Sequence, residues 1–324
     1  MSFATAACRV GYHAISDIGN VRKTNEDTFV IETTLPVVSN DIAAARALVA
    51  VFDGHGGRRA ADFLQQHFVQ FFTDDAAYGY DTAEALRSTC RRIDAAFLDV
   101  AVAAGSVNDG STAIVTVLEH LHGQATPRAT TANVGDSRAI LCRADISPEP
   151  LSKDQVAARD DEALRVYTSG GFVAYKNKFR AHSRHLTGMR RPMREAHEAW
   201  MQSLGRPLRV YPGGVMCSRS IGDLNCKEAK VLICDPEISQ VQLAPHHTCL
   251  IVASDGLWGV VTNKKAQAKA RAVLRDLAQN DSSAQAAGVS KALAKLAKGQ
   301  LESDDNITVA VAVFGWLDNV ELIE

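Results

Sequence analysis

Four of the short β-like runs in this chain of 324 residues carry carboxylates at one end, where ionised side chains could do chemistry. The acids are Glu26 and Asp27 before the run 28–31, Asp53 after 47–52, Asp255 after 248–254, and Asp305 two residues before 307–314. If these ends meet in space, repulsion among the carboxylates would cost several kcal/mol at an effective dielectric constant of roughly 20. A divalent cation would remove that cost. Hard oxygen ligands without nearby Cys or paired His favour Mg²⁺ or Mn²⁺ over zinc.

Each acidic motif also has an ordinary structural explanation. Taken alone, DGHGG at 53–57 is most often a turn, SDGLW at 254–258 a strand exit, and SDDN at 303–306 a solvated loop. Their joint occurrence at strand ends favours a shared site over three unrelated loops.

The elements that must position these acids are predicted from hydrophobic periodicity. Strands are expected over 28–31, 47–52, 111–118, 129–134, 137–142, 248–254 and 307–314. Helices are expected over 58–72, from Asp81 with Glu84 three residues on, and over 160–168, 263–277 and 283–298. Several strands are apolar at nearly every residue, which suits strands covered on both faces. With no sequence repeat and no Pro/Ser-rich linker, we expect a single domain over 1–324.

Composition and charge exclude several functional classes. The chain is 46% hydrophobic, too apolar for disorder, and its 35 Lys+Arg against 37 Asp+Glu give a net charge of −2. We therefore expect no nucleic-acid partner and no membrane partner, since the longest apolar run, 307–317, is too short to span a bilayer. Seven scattered cysteines indicate reduced thiols in a cytoplasmic protein without a signal peptide. A monomer is expected.

One segment differs in composition from the rest. Residues 174–209 hold nine Lys/Arg against two Glu, and the β-like pattern lapses between Gly171 and Val210. We interpret this segment as a basic surface insertion. Such a cluster could double as a nuclear import signal, so a nuclear location stays open.

Taken together, the motifs resemble those of the metal-dependent protein phosphatase family, the type 2C serine/threonine phosphatases. The matching segments, in the family's order, are GNVRKTNED (19–27), VFDGHGG (51–57), GSTA (110–113), NVGDSRA (133–139), GGVMCSRSIGD (213–223), DPEI (235–238), VASDGLW (252–258) and DDNITV (304–309). The resemblance covers a core from about Gly11 to Phe314. It implies an α+β fold in which a β-sandwich of two antiparallel sheets is flanked by helices on both faces, a four-layer αββα arrangement.

The same resemblance implies the residues of the site and their roles. Two Mg²⁺ or Mn²⁺ ions would be held by Asp53 as the bridge, by Asp255 and Asp305 at one ion, and by Glu26, Asp27 and the Gly54 carbonyl at the other, partly through water. Arg22 would grip the substrate phosphate, a task that suits a planar two-pronged donor. Its ordinary alternative is a surface cation.

The implied reaction uses no nucleophilic side chain and no phosphoenzyme. Two cations would acidify the water between them, and the resulting hydroxide would attack phosphorus in line. His55 is the candidate general acid for the leaving seryl or threonyl oxygen because imidazole titrates near neutrality. A histidine in a turn is, however, usually only a hydrogen-bond donor.

Two features depart from the family pattern. Many members place an Asp four residues after the counterpart of Asp255, and with the counterpart of Asp136 it helps to hold a third, weaker metal. Here that position is Gly259. Two carboxylates hold a hard dication less tightly than three, so we predict a weak or empty third site.

The basic insertion is the second departure, because the family usually has only a short flap beside the cleft at this place. We hypothesise that its cations contact acidic or multiply phosphorylated protein substrates. The cations concerned are Lys176, Lys178, Arg180, Arg184, Arg190 and Arg191. A solvated loop without a catalytic role is an equally weighted alternative.

The expected function is a Mg²⁺/Mn²⁺-dependent phosphatase acting on phosphoserine and phosphothreonine in proteins. A second hypothesis is a catalytically silent relative that binds phosphoproteins as a regulator, although all five carboxylates of the main metal pair are present. A third keeps the metals but hydrolyses small phosphomonoesters, because the acids and Arg22 interact only with the phosphate.

Overall fold

The structure, a computed structural model, describes residues 8–144, 146–175 and 207–316. The strands in these residues are Cys8–Asp17 (β1), Thr28–Glu32 (β2), Ala43–Phe52 (β3), Gly54–His55 (β4), Gly110–Ser111 (β5), Ala113–Leu121 (β6), Arg128–Val134 (β7), Arg138–Arg143 (β8), Glu149–Pro150 (β9), Phe172–Tyr175 (β10), Leu208–Tyr211 (β11), Ile221–Gly222 (β12), Glu237–Gln242 (β13), His247–Ala253 (β14) and Ile307–Trp316 (β15).

The helices in the same residues surround these strands. They are Arg59–Thr73 (α1), Thr82–Ala103 (α2), Asp160–Thr168 (α3), Leu224–Glu228 (α4), Asp255–Trp258 (α5), Asn263–Asp276 (α6) and Ser282–Lys295 (α7), the last continued by a π-helical turn at Leu296–Gln300. The start of α2 follows the predicted cap, because the Asp81 carboxylate accepts a hydrogen bond of 3.0 Å from the backbone N–H of Glu84.

Two five-stranded antiparallel sheets form the centre of the fold. Their strand orders are β1-β15-β14-β8-β9 and β13-β7-β6-β3-β2. The inner faces pack on each other through fully buried side chains such as Val49, Val51, Leu250 and Val252. Near-continuous apolar runs are therefore required in the central strands, as the sequence predicts.

Helices cover the outer face of each sheet. The pair α1 and α2 packs on β3, β6 and β7 through residues such as Phe68 and Leu86, and the pair α6 and α7 packs on β14 and β15 through residues such as Val289 and Leu293. Full burial of one such side chain stabilises the fold by about 1.5–3 kcal/mol. The α+β, four-layer αββα prediction is confirmed.

Two smaller sheets lie outside this centre. Strand β5 pairs with both β4 and β12, and the hairpin β10–β11 pairs Phe172 with Tyr211. Both ends of the predicted insertion 174–209 lie on the paired strands of this hairpin. Within the described ranges no helix combines the length and the apolar character needed to cross a bilayer.

Candidate active site

The predicted acids meet at one end of the sandwich. Asp27 precedes β2 and Asp53 follows β3, while Asp255 opens α5 directly after β14. Thr28 pairs with Phe52, and Ala253 pairs with Val309 near the start of β15, so these strand ends lie side by side within each sheet. Four strand ends, two from each sheet, thus bring their carboxylates together.

Burial and mutual repulsion perturb these carboxylates strongly. Burial raises the pKa of Asp53 well above its usual value, with further contributions from the charges of Asp27 and Asp255. The pKa of Asp27 is raised to about 7 and that of Asp255 to about 6, in each case chiefly by burial. Such a concentration of acids with raised pKa values is typical of a functional site.

A cleft of about 290 Å³ opens at this end of the sandwich. Its walls include the predicted residues Arg22, Glu26, Asp53, Gly54, His55, Asp136, Asp255 and Asp305. Asp27 lies behind the cleft, 5% exposed, and its carboxylate accepts a hydrogen bond of 2.8 Å from Ser254 Oγ. Four of the five predicted acids thus line the cleft, and the fifth, Asp27, is buried behind it.

Asn306 connects two of the acidic loops. Its Oδ1 accepts a hydrogen bond of 2.9 Å from the backbone N–H of Glu26, and its Nδ2 donates to the carbonyls of Ile18 and Thr24. Gly256 packs against the same turn so closely that a Cβ would lie 1.8 Å from the Asn306 carbonyl oxygen. Only glycine fits there, which explains why it follows the acid that opens α5.

Arg22 lies at the rim of the cleft. Its Nη2 is 2.6 Å from Asp305 Oδ2, and half of its side chain is exposed. The guanidinium therefore faces both the acids and solvent, a position from which it can reach an anion in the cleft.

His55 is held by a buried acid that the sequence interpretation did not assign. Its Nε2 lies 2.8 Å from Oδ2 of Asp223, whose side chain is 1% exposed. Gly110 lies between them, and a Cβ there would be 2.2 Å from the carboxylate oxygen and 2.4 Å from the imidazole nitrogen. Burial alone would lower the pKa of His55, but the charge and hydrogen bond of Asp223 outweigh it and raise that pKa.

The donor set fits a hard divalent cation. The cleft offers carboxylates, and its cysteine, Cys217, is buried with the pKa of its thiol raised well above the usual value by burial, so it stays neutral. Oxygen ligands without thiolate favour Mg²⁺ or Mn²⁺. The same neutral thiol argues against a cysteine nucleophile.

No three described carboxylates of the cleft have ligand oxygens that all lie within 4.8 Å of one another. Among the described residues, the one group of three acids whose ligand oxygens all lie within 4.8 Å of one another is Asp161, Glu162 and Glu237, outside the cleft. That group is already neutralised, because Arg219 Nη2 lies 2.6 Å from Glu162 and Arg159 forms ion pairs with Asp161 and Glu237. It is therefore an ion-pair network of the fold.

A second cleft of about 310 Å³ adjoins the first. Asp136, Asp255 and Gly259 all line it, together with Asp154. Asp154 is paired with Arg138 at 2.6 Å, so its charge is already matched. Burial raises the pKa of Asp136 to about 8. The residues predicted to lie at a third metal site therefore line one open cleft, in which Gly259 occupies the position of a third carboxylate.

The six predicted flap cations, Lys176, Lys178, Arg180, Arg184, Arg190 and Arg191, lie outside the described residues. Arg209, from the end of the same basic segment, lies on β11 and lines the first cleft, the one that holds Asp53 and His55. Asp223, Asn306 and Arg209 are the residues of the site that sequence reasoning missed. Asp223 and Asn306 lie inside the motifs 213–223 and 304–309, so their positions in these motifs could have identified them.

Comparison with known proteins agrees with this geometry. A family model described as protein phosphatase 2C matches residues 12–306. The chain is 30% identical over 296 residues to probable protein phosphatase 2C 76 of Arabidopsis thaliana, covering 90% of this chain and 56% of the relative. It is 31% identical over 319 residues to probable protein phosphatase 2C 68 of Oryza sativa subsp. japonica, covering 92% and 77%.

Solved structures share the fold. A serine-threonine phosphatase 2C from Toxoplasma gondii superposes with a TM-score of 0.70 at 21% identity, covering 97% of each chain. Several curated relatives are longer than this chain, which spans 37% of one from Oryza sativa subsp. japonica and 56% of the Arabidopsis thaliana relative above. On the family match over residues 12–306, this chain belongs to the protein phosphatase 2C family.

Proposed function

We propose that this chain hydrolyses phosphoserine and phosphothreonine in proteins, using two Mg²⁺ or Mn²⁺ ions. The observation that carries the proposal is the meeting of acids from four strand ends in one cleft that also holds Arg22 and His55. Family membership supports protein phosphatase activity. The substrate class and the metal requirement are the parts that need experiment.

The metal ligands proposed are those already implied by the sequence. Asp53 would lie between the ions, Asp255 and Asp305 would hold one, and Glu26, Asp27 and the Gly54 carbonyl would serve the other. Bound there, the ions would supply a water of lowered pKa and positive charge for the transition state.

The side chains of the chain itself bind the substrate and move the proton. Arg22 binds the phosphate through its exposed guanidinium and shares that charge with Asp305. His55 donates a proton to the leaving oxygen, which matters most for an alkoxide from serine or threonine because an alkoxide is a poor leaving group. Asp223 orients the imidazole through Nε2, leaving Nδ1 as the nitrogen that can donate to substrate.

The basic insertion is proposed to select the protein substrate. Deleting 176–206 should leave turnover of a small aryl phosphate unchanged and reduce turnover of acidic or multiply phosphorylated proteins. If the deletion leaves turnover of both the aryl phosphate and the phosphoproteins unchanged, the segment is instead a solvated loop without a catalytic role.

The test of the function compares two substrates. The purified chain is assayed on an aryl phosphate and on a phosphothreonine peptide, with Mn²⁺ and with EDTA, beside Asp53→Ala and Asp255→Ala. We expect turnover of both substrates that requires Mn²⁺ and is lost in both variants.

Each other result has a definite meaning. Turnover of the aryl phosphate alone would indicate a phosphatase of small phosphomonoesters. Phosphopeptide binding without turnover would indicate a silent regulator. Turnover that persists in EDTA or in both variants would contradict the two-metal site.

A further inference from the structure

Helix α6 carries a strong local positive charge on a chain whose net charge is −2. Its sequence, NKKAQAKARAVLRD, has five Lys/Arg and one Asp. Lys264, Lys265, Arg271 and Arg275 are exposed and Lys269 is half-buried. None of the five forms an ion pair with a carboxylate of the described residues, whereas the exposed Arg58 and Arg91 both do.

An open groove of about 550 Å³ runs along this helix. Lys264 and Arg271 line it two helical turns apart, with the small Ala268 between them. The opposite wall is the segment 146–148, where Ile146 is 55% exposed beside Pro148. The groove thus combines two cations with an apolar wall.

Hydrogen bonds fix the shape of the groove. Gln267 is 6% exposed; its Nε2 donates a hydrogen bond of 2.8 Å to the carbonyl of Ile146, and its Oε1 accepts one of 2.8 Å from the backbone N–H of Arg143. This side chain ties the segment to the helix. The exposed isoleucine is therefore held at a set distance from the two cations.

We propose that this groove binds an acidic peptide segment of a partner protein, with an apolar side chain on Ile146 and a carboxylate at each of Lys264 and Arg271. Seven helical residues separate the cations by about 10.5 Å. A peptide in the polyproline II conformation advances about 3.1 Å per residue with three residues per turn, so carboxylates three residues apart lie on one face about 9.3 Å from each other.

The chemistry of the groove favours a peptide over the other polyanions. The described residues that line it include no aromatic ring on which a nucleic-acid base could stack. Their apolar surface is confined to the short segment and Ala268, whereas helices that lie on membranes present a long apolar face with bulky residues. A concave site with two spaced cations and one apolar wall suits two acidic side chains with an apolar side chain between them.

Within the described part of the chain, the groove shares no lining residue with the cleft that holds Asp53 and His55. Binding there can be measured without turnover, so the proposal stands or falls separately from phosphatase activity.

The test measures binding of a short fluorescein-labelled peptide by fluorescence anisotropy. The peptide carries two aspartates three residues apart, a leucine between them, and proline at the remaining positions to favour the polyproline II conformation. We expect Lys264→Glu combined with Arg271→Glu to weaken binding about tenfold or more, which corresponds to about 1.4 kcal/mol. The matched control reverses two exposed charges of the neighbouring helix α7, Lys291→Glu with Lys295→Glu, and should bind as the unaltered protein does.

Two further comparisons sharpen the result. A peptide with both aspartates replaced by asparagine should bind weakly, and Ile146→Ser should weaken binding while leaving its salt dependence intact. Thermal unfolding and aryl phosphate turnover should match the unaltered protein in every variant, because these side chains lie on the surface.

The proposal is overturned if the unaltered protein does not bind the peptide, or if the α6 variant binds it as tightly as the unaltered protein. It is also overturned if the α7 control loses as much affinity as the α6 variant. It is also overturned if a single-stranded oligodeoxynucleotide or phosphatidylserine vesicles bind more tightly than the peptide and lose that binding in the α6 variant. Those two results would assign the surface to a nucleic acid or to a membrane.

Discussion

The imidazole Nε2 of His55 lies 2.8 Å from the Oδ2 of Asp223, a residue 168 positions away in the sequence. Asp223 is buried, adopts a left-handed backbone with φ of 56°, and its backbone N–H donates to the carbonyl of Asp109. Its other oxygen, Oδ1, has no hydrogen-bond partner in the described part of the chain. The acid is thus held in place chiefly to interact with the histidine.

Replacing this acid should impair the reaction only where the leaving group needs a proton. Asp223→Asn should reduce kcat for a phosphothreonine peptide about 100-fold, the lower end of what general-acid catalysis contributes, and leave aryl phosphate turnover within a few fold. His55→Gln should show the same pattern, measured by steady-state kinetics on the two substrates.

The double variant distinguishes a shared role from two separate ones. Asp223→Asn combined with His55→Gln should be no slower than His55→Gln alone, because Asp223 acts through the histidine. Asp235→Asn, which removes an exposed acid paired with Arg91, is the matched control and should retain full turnover. Additive losses in the double variant would contradict the positioning role.

Arg22 is expected to act in substrate binding. Arg22→Ala should raise KM for both substrates about tenfold to 100-fold, because hydrogen bonds to a charged group contribute about 1.5–3 kcal/mol. Arg22→Lys keeps the charge but loses the planar two-pronged donor, so its KM should lie between that of the unaltered protein and that of Arg22→Ala. A fall in kcat at unchanged KM would show that the residue acts only in the transition state.

Gly259 is the position that decides the third metal site. Its φ of −62° and ψ of −26° suit any residue, although a Cβ there would lie 3.0 Å from the carbonyl oxygen of Asp255. Gly259→Asp should strengthen binding of a third Mn²⁺ about tenfold or more, since ligand charge sets affinity. Calorimetric Mn²⁺ titration of both proteins is the measurement. Three sites of similar affinity in the unaltered chain would show this prediction to be wrong.

Glu162 offers a test of stability instead of catalysis. It is 2% exposed, and it accepts hydrogen bonds of 2.7 Å from Ser218 Oγ and 2.6 Å from Arg219 Nη2. Glu162→Gln should lower the free energy of unfolding at neutral pH by about 1.5–3 kcal/mol, because it removes the negative charge that hydrogen-bonds the partly buried Arg165 and Arg219. Glu84→Gln, at an exposed ion pair, should cost less than about 1 kcal/mol.

The pH dependence of this effect has a fixed sign. Burial would raise the pKa of Glu162, but the hydrogen bonds from Arg219 and Ser218 outweigh it and lower that pKa. Its stabilisation is therefore fully present above the usual glutamate range, near 4.3, and is lost as the pH falls through the lowered pKa of the folded state. The difference between Glu162→Gln and the unaltered protein should shrink in acid, as measured by urea unfolding. A difference independent of pH would contradict the ionised pair.

The central strands and helices could be predicted because their patterns are local. Strand β15 is apolar along most of its length, and α3 ends at Thr168 as the following glycines indicate. Strand β1 was missed because polar residues interrupt its apolar pattern. These residues find hydrogen-bond partners far away in the sequence: His13 Nδ1 lies 2.7 Å from Ser290 Oγ. Strand β13 was missed because, as an edge strand with the sequence EISQVQ, it has a largely polar pattern.

The same distinction applies to the site. The acids at strand ends could be read from the sequence because each adjoins a recognisable strand. The pairing of His55 with Asp223 could not, since it depends on Gly110 of β5 bringing two distant strands together. Arg209 belongs to a segment that was interpreted by its charge alone. Its position on the wall of the cleft depends on the pairing of β10 with β11, which the sequence pattern did not predict.

Crystals grown with Mn²⁺ test the central claim most directly, through anomalous diffraction at the manganese edge. We expect two anomalous peaks in the cleft, one contacted by Asp255 and Asp305 and the other by the Gly54 carbonyl, with Asp53 contacting both. Asp53→Ala should lose at least one peak. Strong diffraction with no peak among these carboxylates, or peaks only at Asp161, Glu162 and Glu237, would contradict the account.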